Sequence, residues 1–183
     1  MPDITARDIR DVDLASSGGI THIWFSGPVL FPFGFGLSYA QFDYAMQFIG
    51  GDSQTWNVAQ DGDGKLASGS DAEKTLRVRV SNSGSSWRSD CVLLVFIERE
   101  AATIQKHSKP MQPAPHEALI AFKRFRGIAP GDSTGHDFAL QFNSVFSAFR
   151  DRHGNVHPPP GSYALRIGHS MGESEARLSV FVH

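Results

Sequence analysis

The sequence predicts an all-β fold, an antiparallel β-sandwich. Its length of 183 residues suits one folded unit. Six or seven short segments alternate apolar and polar residues with the period of a strand that has one buried face. Turn-forming Gly, Pro, Asn and Asp residues separate these segments at intervals of roughly ten to twenty residues, which favours a sandwich over an α/β sheet.

An extended arm is predicted for residues 1–38, and the sandwich for residues 39–183. The arm shows no sustained period of a helix or a strand. Gly18-Gly19 and Gly27-Pro28 would interrupt any element begun there.

The first strand is predicted from Phe42 to Phe48 and ends before Gly50-Gly51. The stretch from Asn57 to Ser70 is rich in Gly, Asp and Ser and offers little to bury, so it is predicted to be a mobile loop or insertion. The second strand carries Leu76, Val78 and Val80 on one face, and its opposite face is predicted to be exposed to solvent.

A central strand is predicted from Cys91 to Ile97, because this run is apolar on both faces and rich in β-branched residues. It should be covered on both sides or lie beneath the arm. A long loop should follow between Glu98 and Glu117, where three prolines cannot donate to a ladder.

The remaining elements follow from the same patterns. Pro130-Gly131-Asp132 indicates a turn, and Asn143 to Phe149 a single helical turn capped by Asn143 or Ser144. A loop carrying three consecutive prolines is predicted from Asp151 to Gly161. The last strands are predicted at Ala118 to Phe125, at Phe138, Leu140 and Phe142, at Tyr163, Leu165 and Ile167, and at Leu178, Val180 and Val182.

Composition excludes several classes of function. With 17 basic and 19 acidic residues, the net charge of −2 gives no positive field for nucleic acid. The longest apolar run, Cys91 to Ile97, is too short to span a bilayer, and the first residues show no signal-peptide pattern. The single cysteine, Cys91, is predicted to be a buried, inert thiol.

The run from Val29 to Tyr39, Val-Leu-Phe-Pro-Phe-Gly-Phe-Gly-Leu-Ser-Tyr, is the most specific motif of the chain. It resembles the signature that leads into the C-terminal fibronectin type III-like domain of glycoside hydrolase family 3, the β-glucosidases and β-xylosidases. Later elements are similar in order to those of that domain, among them Asn82 with Gly84, Pro130-Gly131, and the run from Pro160 to Gly168. His116, Glu117 and Ala121 depart from the family pattern.

The resemblance implies a fibronectin type III-like sandwich without catalytic residues. In the family, an Asp nucleophile and a Glu acid/base on preceding domains hydrolyse terminal β-D-glycosides, and neither has a counterpart here. The chain is therefore expected to be a structural accessory domain whose partners are the preceding catalytic domains, in the same or a separate chain. By resemblance alone, its location is extracellular or lysosome-like.

The signature is interpreted as a docking strap. Two glycines permit close backbone approach, Pro32 stiffens the entry, and the rings offer more apolar area than a free arm should expose. In the alternative interpretation, the same rings cover the core of the sandwich itself. The predicted docking residues are Trp24, Phe25, Phe31, Pro32, Phe33, Gly34, Phe35, Gly36 and Tyr39.

Other motifs are weaker, and no catalytic, cofactor-binding or metal residues are assigned. Glu98 and Glu100 read as solvated charges rather than as a glycosidase pair. The segment Gly36 to Ala40 lacks the strand and helix of a nucleophile elbow. The run Asp61 to Lys65 lacks the final Glu of a calcium loop, and His153 and His157 read as surface histidines.

Trp56 and Trp87 are candidate sugar contacts, with core packing as the alternative for both. A stand-alone carbohydrate-binding or protein-interaction module is the alternative function.

Overall fold

Two β-sheets make up the part of the chain that the computed structural model describes. That part comprises residues 21, 23–25, 27–50, 54–62, 65–68, 72–100, 115–151, 153–171 and 176–183. The elements are β1 (Phe42–Ile49), β2 (Thr55–Val58), β3 (Glu73–Asn82), β4 (Ser89–Arg99), β5 (Glu117–Ile128), β6 (Ser133–Gln141), α1 (Phe142–Val145), β7 (Gly161–Gly168) and β8 (Ala176–Val182).

The smaller sheet has the strand order β1-β3-β6, and the larger has the order β2-β8-β7-β4-β5. All pairs are antiparallel except β2 with β8, which is parallel. The inward-facing residues of both sheets form one core, which includes Leu76, Val78, Leu93, Val95 and Leu165. The predicted all-β, fibronectin type III-like sandwich is confirmed.

Aromatic side chains close one end of this core. Tyr163 on β7 packs edge-on against Phe146 and Phe149, with ring centroids 5.2 and 5.5 Å apart. Its buried hydroxyl donates to Pro159 O at 2.5 Å, which satisfies the polar end of the ring. The adjacent helix begins at the buried Phe142 and has no side-chain cap, so the prediction of a cap by Asn143 or Ser144 is wrong.

Strand β4 is buried on both faces over its middle portion, as predicted. Leu93, Val95 and Ile97 point into the core, whereas Leu94 and Phe96 lie on the outer face of the larger sheet. Leu94 and Phe96 are buried as well. Phe33 and Gly34 of the Val29–Tyr39 motif pack against Phe96 and Leu94, respectively.

The main difference from the predicted elements is β2. It begins two residues before the stretch predicted to be a loop, Asn57 to Ser70, and includes its first two residues. Trp56 and Val58 contribute fully buried side chains. Four residues are too few for a clear alternation, and the partner strand β8 is distant in sequence. An isolated bridge between Gln60 and Leu66 gives the following residues further order.

Some predictions fall on residues outside the description. They include residues 1–20 of the arm and residues 101–114 of the long loop, so the division at residue 38 stays a prediction. Within the described ranges, no helix has the length and hydropathy to cross a membrane.

Candidate functional site

A tight turn at Pro32–Phe35 fixes the middle of the Val29–Tyr39 motif. The Phe35 N–H donates to Pro32 O at 2.9 Å. Gly34 has a φ of +86°, a conformation that other residues adopt only with strain. The turn directs Phe33 towards the larger sheet and places Phe31 beside Phe35, with ring centroids 5.0 Å apart.

The turn is anchored to the outer face of the larger sheet. Phe33 O accepts a hydrogen bond of 2.7 Å from Met171 N–H, and the Phe33 ring packs edge-on against Phe96 at 6.4 Å. A β-carbon placed on Gly34 would lie 2.6 Å from Leu94 Cδ1. The backbone approach therefore requires glycine.

The other side of the motif faces solvent. Leu30 is 92% exposed and Phe31 72%. Val92 and Phe122 extend this region onto the sheet. Phe122 pairs with Leu94, the residue that Gly34 contacts, and Val92 lies two residues before Leu94 on the same face of β4. We call Leu30, Phe31, Phe35, Val92 and Phe122, which are all exposed, the apolar surface. Contiguous exposed patches of this kind mark interaction sites in soluble proteins.

The rest of the predicted docking set lies on either side. Trp24 and Phe25 are half-buried, and their N–H groups donate to Thr21 O at 3.0 and 2.8 Å. Gly36 is exposed, and its ideal β-carbon position meets no atom within 4 Å. Tyr39 is separate from the other rings and faces Trp87 at 5.9 Å.

The two tryptophans predicted as sugar contacts have opposite environments. Trp56 on β2 is 0% exposed and packs edge-on against Phe48, which is the core position that the alternative interpretation expects. Trp87 lies between β3 and β4 and is 60% exposed. Trp87 is therefore accessible to a ligand, and its role as a sugar contact stays a prediction.

A cleft of about 640 Å³ lies between the motif, the start of β1 and the start of β4. Sequence reasoning did not identify it, because its walls come from three separate segments. Leu37, Gln41, Asp43, Ser83 and Asp90 are among its lining residues. The Gly127 N–H and Arg124 both donate to Asp90, at 2.8 and 2.7 Å, and lower the pKa of its carboxyl group.

The carboxylates considered as a glycosidase pair are engaged in ion pairs. Arg177 lies 2.9 Å from Glu98 and 3.7 Å from Glu100. Glu98 also lies 3.2 Å from Arg166, whose guanidinium is buried and also pairs with Glu117. These ion pairs connect the strands β4, β5, β7 and β8 across the outer face of the larger sheet. Their role is therefore to hold the sheet together.

Metal ligation finds no support in the described ranges, where no group of three His, Cys, Asp or Glu side chains could hold an ion. His153 donates its backbone N–H to Asp151 at 2.8 Å. Asp61 accepts from the Lys65 N–H at 2.9 Å, while Asp63 of the calcium-like run lies outside the description.

Comparisons with known proteins give one consistent relationship. A probable exo-1,4-β-xylosidase of Aspergillus oryzae is 29% identical over 163 residues, which cover 84% of this chain and 18% of that protein. The β-glucosidase of Kluyveromyces marxianus in complex with glucose matches with a TM-score of 0.60 and 22% identity, over 85% of this chain and 16% of that one. The GH3 β-glucosidase of Bifidobacterium adolescentis matches with a TM-score of 0.56 and 22% identity, over 82% of this chain and 18% of that one.

The chain resembles the C-terminal domain of family 3 glycoside hydrolases. It spans about a fifth of the length of the curated relatives it matches. No family model matches it. The resemblance expected from the Val29–Tyr39 motif is thus confirmed, and this family signature is the segment that bears most of the apolar surface.

Proposed function

We propose that this chain is a non-catalytic accessory domain that docks onto the catalytic domains of a family 3 glycosidase through the apolar surface. The observation that carries the proposal is the divided role of the signature. Phe33 and Gly34 fasten the segment to the sheet, whereas Leu30 and Phe31 remain largely exposed. If the segment only covered the core of its own domain, the position of Phe33 would be explained, but the exposure of Leu30 and Phe31 would not.

The share of the relatives that the chain spans supports the same role. About four fifths of their length has no counterpart here and would supply the covering surface. In the resembled enzymes, hydrolysis of terminal β-D-glycosides would belong to that larger part. The ion pairing of Glu98 and Glu100 with Arg177 is consistent with a domain that holds no acid and nucleophile of its own.

The test is association in trans with the remaining part of a related xylosidase, produced without the region that this chain matches. Analytical ultracentrifugation should detect a complex with the wild-type chain. The double variant Phe31→Ser with Phe35→Ser should weaken the complex by roughly tenfold or more, because aromatic anchors dominate interface energies.

Arg77→Ser is the matched control, since Arg77 is exposed on the smaller sheet. It should leave association unchanged. Absence of any complex, or equal binding by the double variant, would contradict docking through this surface. Turnover of aryl glucosides or aryl xylosides by the isolated chain would contradict the non-catalytic role.

A further inference from the structure

The cleft has the size and composition of a ligand site. Its volume of about 640 Å³ falls within the range of roughly 300–1,000 Å³ typical of small-molecule sites. Its lining combines hydroxyl, amide and carboxylate groups with apolar side chains, among them Phe42 and Val92. Such a mixture suits a neutral ligand that has both hydroxyl groups and C–H faces.

Two exposed rings lie next to this cleft. Tyr39 is 91% exposed, and it stands in sequence between Ser38 and Ala40, which both line the cleft. The Tyr39 and Trp87 rings are 5.9 Å apart and inclined by 44°. Together they form an aromatic pair that the core of the domain does not use.

The backbone that carries each ring is fixed. The buried Asn82 side chain donates to Trp87 O at 2.8 Å and to Ile128 O at 3.0 Å. On the other side, Ala40 is buried and its N–H donates to the Ser38 hydroxyl at 3.1 Å. The backbone that presents the two rings is therefore held by the surrounding structure, which reduces the cost of ordering the segments on binding.

We propose that the cleft and the Tyr39–Trp87 pair form a carbohydrate-binding site for a β-linked oligosaccharide chain. Equatorial β-linkages give such chains flat C–H faces that stack on aromatic rings, while Ser38, Gln41 and Ser83 offer hydrogen bonds to hydroxyl groups. Carboxylates in the lining and a net charge of −2 disfavour a phosphate-bearing ligand. The site is distinct in composition from the apolar surface, although the two share Val92.

The experiment is isothermal titration of the full chain with xylohexaose, cellohexaose and laminarihexaose, with α-linked maltohexaose for comparison. At least one β-linked sugar should bind, and the α-linked sugar should bind more weakly. Trp87→Ala and Tyr39→Ala should each weaken binding by roughly tenfold or more, because truncation of a central aromatic contact has effects of that size.

Phe181→Ala is the matched control. Phe181 is a partly exposed aromatic residue of β8 in the larger sheet, and it neither lines the cleft nor belongs to the apolar surface. It should leave sugar binding unchanged, and circular dichroism should show that all variants are folded.

Two results would overturn the proposal: no binding of any β-linked sugar at millimolar concentrations, or binding that Trp87→Ala leaves intact. A third result would also overturn it, namely loss of association with the catalytic part in Trp87→Ala without any sugar binding. That third outcome would assign the pair to a protein interface and would leave the proposed docking function standing.

Discussion

Gly34 of the signature lies directly against Leu94 of β4, so that a β-carbon at position 34 would stand 2.6 Å from Leu94 Cδ1. His169 O would be 2.7 Å from the same β-carbon. The contact sets how closely the signature lies on the sheet, and therefore which of its rings point outwards.

Gly34→Ala should destabilise the chain by about 1–3 kcal/mol, since it adds a strained backbone conformation to a steric clash. Gly36→Ala is the control, because its β-carbon meets no atom within 4 Å, and it should change stability by less than about 0.5 kcal/mol. Urea denaturation measures both. Equal effects at the two positions would contradict the observed packing.

Arg166→Met should cost about 3–5 kcal/mol, because it leaves Glu117 as a buried charge without its ion-pair partner. Arg77→Met removes the comparable but exposed pair with Asp137, at 2.7 Å, and should have little measurable effect. The free energies of unfolding of the two variants provide the comparison. A small loss for Arg166→Met would show that the buried pair is dispensable.

Phe33→Ala should lower stability by about 1 kcal/mol, the value of an edge-on aromatic contact such as that with Phe96. Phe31→Ala should leave the stability of the isolated chain unchanged within about 0.5 kcal/mol, because Phe31 is mainly exposed. Thermal unfolding of the two single variants tests this. The reverse order would mean that the turn points the other ring inwards.

Trp56→Ala should cost about 3–5 kcal/mol, as expected for an emptied aromatic site in a core. Trp87→Ala should stay within about 0.5 kcal/mol, because its ring is mostly in solvent. Tryptophan fluorescence gives a second measurement. Trp87→Ala should remove emission from a solvent-exposed side chain, whereas Trp56→Ala should remove emission from a buried one. Similar losses of stability in the two variants would be inconsistent with this assignment.

Cys91 should resist thiol reagents in the folded state and react fully on unfolding. Its thiol is buried, with Sγ 3.3 Å from Tyr44 Oη, and burial raises its pKa above the ordinary 9.0. The unfolded thiol therefore ionises first as the pH rises, so the Cys91 contribution to stability is present below about pH 9 and is lost above it. Cys91→Ala should remove this loss, and unfolding midpoints of both proteins from pH 8 upwards would reveal it.

The sequence predicts strands well where one face is wet and the other is buried. Leu76, Val78 and Val80 show this in β3, where they are buried and alternate with the exposed Arg77 and Arg79. Arg166 shows the limit, because alternation alone places it in solvent, whereas Glu117 and Phe96 enclose it in the fold. Burial of that kind depends on contacts between strands that are distant in sequence.

The candidate site was predictable in part. Aromatic residues around two glycines indicate a segment that docks onto another surface. The inward position of Phe33 and the outward position of Phe31, however, depend on the turn at Gly34 and on where that turn lies on the sheet. Trp56 and Trp87 carry similar local signals and differ because only Trp56 lies in a strand beside β8. The cleft requires the three-dimensional arrangement of segments that no local pattern relates.

Strand β8 lies between β7 and β2 in the larger sheet. During synthesis on the ribosome, β2 emerges long before β8, and it has no other partner among the described strands. The segment that carries the hydrophobic side chains of Trp56 and Val58 therefore lacks its partner strand until β8 has been synthesised. Nascent chains stalled ahead of residue 176 should bind holdase chaperones at this early segment.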